Sequence, residues 1–175
     1  LGRNASGGDH PDGTNGWSTR LMWRTNGEVM TYAYLPKSQN RKYGQKTYGD
    51  YLWWNEPNQG TRVRFVPGKW HSIEQWIQLN DLGEENGKIY SWFDGRLVQQ
   101  LDDVFFRADD NLQTRIGSIM FHIFFGGGTE DWAPSKREHI YLDNFVIATG
   151  YIGPITTEGA DAAPPSAPGN VRVGK

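Results

Sequence analysis

Between Trp17 and Leu35 the chain alternates residue types with a period of two on both sides of an Asn-Gly pair, and this pattern constrains the fold more than any other stretch. On the first side Trp17, Thr19, Leu21 and Trp23 alternate with Ser18, Arg20, Met22 and Arg24. On the second, Val29, Thr31, Ala33 and Leu35 alternate with Glu28, Met30, Tyr32 and Tyr34. Period two places each set on one face of a strand. Asn26 and Gly27 both tolerate positive φ, which is what a tight hairpin turn asks of them. The segment therefore reads as a β-hairpin with one mostly apolar face. Its other face presents Ser18, Arg20, Tyr32 and Tyr34 together.

That second face has chemical potential. A guanidinium binds a carboxylate in a fork and keeps its proton. A phenol exchanges protons if a neighbouring cation pulls its pKa down. Such a set suits an acidic sugar. The plain alternative is that Tyr is a common strand residue and Arg a common cap for an open sheet face.

The rest of the chain repeats the β theme. Thr61 to Val66 alternates as a short strand. Lys69 to Asn80 reads as a longer one, with Ile73, Ile77 and Leu79 on one face and Glu74, Trp76 and Gln78 on the other. Ile89 to Phe93 and Leu97 to Gln100 flank Asp94-Gly95, a second hairpin turn. Gly117 to Phe125, apolar on both faces, is expected to be a buried central strand. His139 to Gly150 is expected to follow as another, with Ile140, Leu142 and Phe145 to Ile147 in the core. Asp102 to Thr114 reads as irregular. No helix of ordinary length can be placed. Many short strands and tight turns predict an all-β fold, an antiparallel β-sandwich of the jelly-roll kind with one concave binding sheet.

Between these elements lie polar segments. Leu1 to Gly16 is loop-like, and its Asp9 and Asp12 lack EF-hand spacing. Pro36 to Pro57 is a polar loop holding Tyr43, Tyr48, Tyr51, Trp53 and Trp54, with a short strand expected around Tyr51 to Trp54. It reads as a wall over the open face whose aromatic rings stack on sugars or pack beneath the loop. From Gly153 the chain turns Pro-, Ala- and Gly-rich, as linkers do. The expected division is a β-domain over 1–152 and a linker over 153–175. The closing PSAPGNVRV resembles the first strand of a fibronectin type III module.

Composition narrows the function classes. The 175 residues suit one domain with a sizeable core. Aromatics make up 14%, with 8 Trp, and Gly numbers 22, which fits a β protein with a surface for sugars. Net charge is −2, without the concentrated basic footprint that a nucleic-acid partner requires. There is no cysteine, so thiol catalysis, disulfides and cysteine-zinc sites are excluded. No apolar run reaches the ~18 residues of a membrane span. The opening LGRNASGG carries neither Met nor a signal peptide and reads as a trimmed piece.

With these residues in view, a resemblance emerges. SxRLMWR, YAY, WHSIEQWIQLN, the WFDG hairpin, FFGG and YLDNF, in this order, resemble polysaccharide lyases of family fourteen, with the glucuronan lyases of family twenty as relatives. The similarity covers roughly Leu1 to Thr149. It implies a jelly roll that cleaves a uronic-acid polymer, alginate above all, by β-elimination. It also implies catalytic roles for Ser18, Arg20, Tyr32 and Tyr34, the same face that the alternation picks out. The family's catalytic lysine would lie before Leu1. His122, Gln78, Trp76, Arg24 and Tyr48 are expected sugar contacts; for His122 a buried structural role competes, and for Trp76 and Gln78 a solvated convex face. Asp143-Asn144 reads as a turn or bulge. No cofactor is expected, with a structural Ca²⁺ as an unsupported option. The expected partner is an acidic polysaccharide, and the expected setting a secreted, multidomain chain whose domain is monomeric.

Other classes remain open at this stage. A non-catalytic carbohydrate-binding module of the same shape would explain the aromatics without the Ser-Arg and Tyr-Tyr set. A glucuronan lyase differs only in substrate. An adhesion domain is a further alternative. A glycoside hydrolase needs two facing acids, and no such pair stands out.

Overall fold

The computed structural model describes residues 2–7, 9–36, 49–127 and 129–154. Among the described residues six strands form two antiparallel sheets. The first contains β1 (Ser18–Trp23), β2 (Val29–Tyr34) and β3 (Asp50–Trp53) in that order. The second contains β4 (Ile73–Gln78), β5 (Gly87–Phe93) and β6 (Arg96–Val104), also in order. Among the described residues the only helical pieces are 3-10 turns at Thr25–Gly27 and Glu130–Trp132. The chain is all-β, as its alternation requires.

Both hairpins form where the turn chemistry puts them. Asn26 and Gly27 adopt φ of 61° and 73°, and Asp94 and Gly95 adopt 49° and 76°. The first turn aligns Ser18 with Tyr34 and Arg20 with Tyr32 across the ladder. The second aligns Phe93 with Arg96. A one-residue slip would send every side chain to the opposite face, so these turns decide which residues can meet.

The sheets pack as a sandwich. Trp17, Ala33, Leu35 and Leu52 meet Ile89, Val104 and Phe106 in one cluster, while Val29, Trp54 and Val63 meet Phe93 and Val98 in another. Between the sheets runs a set of hydrogen bonds. The Thr31 hydroxyl donates to Gln99 Oε1 at 2.8 Å and accepts from Trp54 Nε1 at 3.0 Å and Gln75 Nε2 at 3.1 Å. Ser91 also donates to Gln99 Oε1, and Gln99 Nε2 donates to the Leu52 carbonyl. An unpaired buried polar group would cost about 1–3 kcal/mol; among the described residues none is unpaired. The network ties the back of β2 to the second sheet, so the front of β2 has a fixed base.

Several expected elements differ. The segment around Thr61 to Val66 makes isolated bridges, Glu28 to Arg64 and Asn55 to Arg62, rather than a strand. Gly117 to Phe125 forms no strand, and its apolar residues from Ile119 to Phe125 are between 54% and 61% exposed. Ile140, Leu142 and Phe145 to Ile147, expected in the core, are exposed as well. A strand apolar on both faces needs a ladder partner and a covering layer on each side. The described residues supply neither, and the two segments touch at the Phe121 and Phe145 rings, 4.5 Å apart. Asn144 turns the chain with φ 52°, its N–H bonded to the Asp143 carboxylate. The segment beyond Pro154, expected to be a linker, lies outside the described residues.

Candidate active site

On the outer face of the first sheet, alternation and register bring Arg20, Tyr32 and Tyr34 together. The hydroxyls of Tyr32 and Tyr34 lie 2.8 Å apart, and either can donate to the other. Their rings meet edge to face at 5.1 Å. The Arg20 guanidinium lies over the Tyr34 ring, 5.1 Å from its centre. Tyr51, the β3 neighbour of Tyr32 in the ladder, adds a third ring at 5.3 Å from that of Tyr32.

Ser18 is on the same face but is spent on structure. It is 6% exposed, and its hydroxyl donates to the Ala5 carbonyl at 2.6 Å. Arg20 Nη2 donates to the same carbonyl at 2.5 Å. Residues 3–6 therefore lie against the end of β1, where the Trp17 N–H also donates to the Arg3 carbonyl. One arm of the Arg20 fork is anchored by backbone. A guanidinium has five N–H donors, so the remaining ones stay available for an anion.

The electrostatics reverse one expectation. The Tyr32 phenol is pushed well above its usual range. Burial is the largest cause, followed by the hydrogen bond and charge coupling with Tyr34. Arg20 pulls the other way but is the weakest influence. Desolvation disfavours the phenolate more than one partly solvated cation at this distance favours it. Tyr32 is thus held as a proton carrier.

The position before β3 explains the seat of that phenol. A Cβ built on Gly49 would fall 2.3 to 2.6 Å from the Cε2, Cζ and OH atoms of Tyr32. Gly49 is not among the residues with positive φ, so the backbone does not demand glycine there. The ring does, because it lies directly against the main chain.

The other expected site residues divide. Arg24 continues the row of Ser18 and Arg20 on the same face, as the alternation implies. Trp76 and Gln78 are on β4, in the second sheet, with the Trp76 ring against Tyr90 at 5.1 Å. They share the outer row of that sheet, so the sandwich core separates them from Arg20 and the tyrosines. His122 is on the exposed apolar segment, its ring 4.7 Å from that of Phe124. Tyr48 lies outside the described residues. Among the described residues no group of His, Asp and Glu is arranged to hold a metal ion. Asp9 accepts from Arg3 and the Ser6 N–H, and Asp12 caps Thr14. Ala5 and Gly49 escape a sequence reading because neither has a functional group on its side chain.

Comparison with known proteins gives three findings. A family model described as Polysaccharide lyase 14 matches residues 2–145. Among solved structures, the crystal structure of the marine PL-14 alginate lyase from Aplysia kurodai matches with 29% identity and a TM-score of 0.41, over 55% of this chain and 40% of that one. The matched part thus spans two fifths of that enzyme's length. A search of curated proteins found no match.

Proposed function

The chain belongs to polysaccharide lyase family 14, and from that premise we propose that its first sheet cleaves a uronic-acid polymer by β-elimination. The observation that supports this most is the hydrogen-bonded Tyr32–Tyr34 pair beside the Arg20 guanidinium. Alginate, as polymannuronate, is the substrate we propose first, and glucuronan the alternative.

The chemistry follows from what each group can do. Arg20 would pair with the sugar carboxylate through the N–H groups not used on Ala5. As the C5–H bond breaks, charge builds on that carboxylate, and a fixed cation stabilises it. The two phenols then close the proton balance. Tyr34 oxygen takes the C5 proton, Tyr34 passes its own proton to Tyr32, and Tyr32 delivers its proton to the leaving glycosidic oxygen. The C4–O bond breaks and a C4–C5 double bond forms. A raised pKa at Tyr32 suits this role, because it arrives protonated at the leaving group. Ser18 acts through Ala5, which it shares with Arg20, and is a positioning residue rather than a catalytic one.

Ultraviolet absorbance during incubation with polymannuronate, polyguluronate and glucuronan tests the reading. Elimination leaves a double bond conjugated to the carboxylate, and hydrolysis leaves none. A rise with one polymer is the expected result and names the substrate. Retention of polymer with no rise would overturn the lyase reading in favour of a sugar-binding module.

A further inference from the structure

The described arginines divide into two groups. Arg3, Arg64, Arg96, Arg107 and Arg115 are each paired with a carboxylate, on Asp9, Glu28, Glu56, Asp110 and Asp110 respectively. Arg20, Arg24 and Arg62 have no acidic partner among the described residues, and neither does Arg137 on the exposed segment near the second apolar stretch. The first three stand on one face. Arg20 is stacked over Tyr34. Arg24 lies over the rings of both Tyr51 and Trp132, at 5.7 and 5.3 Å. Arg62 lies over Trp53 at 4.6 Å, with Nη1 donating to Asn55 Oδ1. Tyr51 and Trp53 on β3 alternate with the core residue Leu52 and with Trp54 just past the strand, so their rings belong to the outer face.

Three unpaired guanidiniums gathered on one face leave it with positive charge that an anion can complete. Of the acids near the face, Glu28 is held by Arg64 and Glu56 by Arg96, while Glu130 and Asp131, next to Trp132, form no ion pair with Arg24. The aromatic backing restricts each guanidinium, so less side-chain freedom is lost when an anion binds. Arg24 is four residues along an extended strand from Arg20, about 13 Å. That is too far for one carboxylate and suits separate acidic units of a single polymer.

We propose that Arg24 and Arg62 extend the Arg20 site into a track for further carboxylates of a polyuronate chain. The ligand class rests on the lyase reading above; the track itself rests on the charge pairing. It makes the site a reader of polymers rather than of short oligomers.

The test is binding of the full chain to polymannuronate and to the same polymer with its carboxyls reduced, followed by affinity electrophoresis and calorimetry. Arg24→Gln and Arg62→Gln are each expected to weaken binding to the acidic polymer about tenfold, and the double variant more. Arg115→Gln, on an exposed ion pair elsewhere, is the control and should bind as the unmodified chain does. In turnover assays the track variants should raise KM for polymer more than they lower kcat. Equal binding by the double variant and the unmodified chain would overturn the track, as would failure of the unmodified chain to bind any polyuronate. Binding without double-bond product would overturn the lyase reading alone, and the variant series would still decide the track.

Discussion

The two sheets share an architecture and differ in what their outer faces have left to offer. On the second sheet several polar groups are engaged by the chain itself. The Glu74 carboxylate accepts from the N–H groups of Ile152 and Gly153, Tyr151 stacks on Trp92 at 4.8 Å, and Tyr90 donates to Asp102. On the first sheet Arg24 and Arg62 have no counter-ion among the described residues, and Arg20 is only partly engaged. Each face carries a tyrosine whose proton is held tightly, for different reasons. Tyr32 keeps its proton because it is buried beside another phenol. Tyr90 keeps its proton chiefly because it donates to the carboxylate of Asp102. Aromatic content alone does not separate the two faces; unspent charge beside the rings does.

The largest effects should come from the tyrosine pair. Tyr32→Phe and Tyr34→Phe are each expected to reduce kcat by about 10²–10⁴. In a shared relay the double variant should be hardly worse than either single one, and losses that multiply would break the relay. Tyr90→Phe on the other sheet should leave kcat alone, and a matching loss there would erase the contrast between the faces. Next, Arg20→Ala should cost about 10²–10³ in kcat with an unchanged circular dichroism spectrum.

A smaller loss, about tenfold, is expected for Gly49→Ala, whose methyl would push the Tyr32 ring aside. In a Tyr32→Phe background the same substitution should cost no further activity, because the hydroxyl whose position it disturbs is gone although the ring remains; an additional loss there would show that Gly49 acts by another route. The smallest effect concerns alkaline stability. A tyrosine pKa raised by folding contributes stability that is present below the unfolded value of about 10 and declines as pH rises past it. Melting temperature should therefore fall less steeply above pH 10 in Tyr32→Phe than in the unmodified chain. Parallel curves would mean that Tyr32 is not held protonated by the fold.

Much of both hairpins was legible because a strand's period and an Asn-Gly or Asp-Gly turn leave little freedom. Parity alone placed Arg20, Tyr32 and Tyr34 on one face, and the register made them neighbours. Parity also grouped Glu74, Trp76 and Gln78 correctly but could not say that their face looks away from the tyrosines, since that depends on how two sheets stack. The direction of the Tyr32 shift was misjudged because sequence shows a nearby cation and does not show burial. Gly117 to Phe125 was misjudged for a related reason: apolar residues state a need for cover, and only the fold states whether cover exists. His122 went with that segment. Ala5 and Gly49 left no signal, one acting through its main-chain oxygen and the other through the space it leaves open.

The Ala5 carbonyl shows what kind of change this site tolerates. Every residue type supplies the same main-chain oxygen, so any residue small enough for that buried position would hold Ser18 and Arg20 equally well. Adding or removing one residue between the anchored Arg3 and Ala5 would carry that oxygen out of reach while leaving every named site residue in place. Over this stretch the protein is permissive in spelling and strict in length, and variation among its descendants should show substitutions there before it shows gaps.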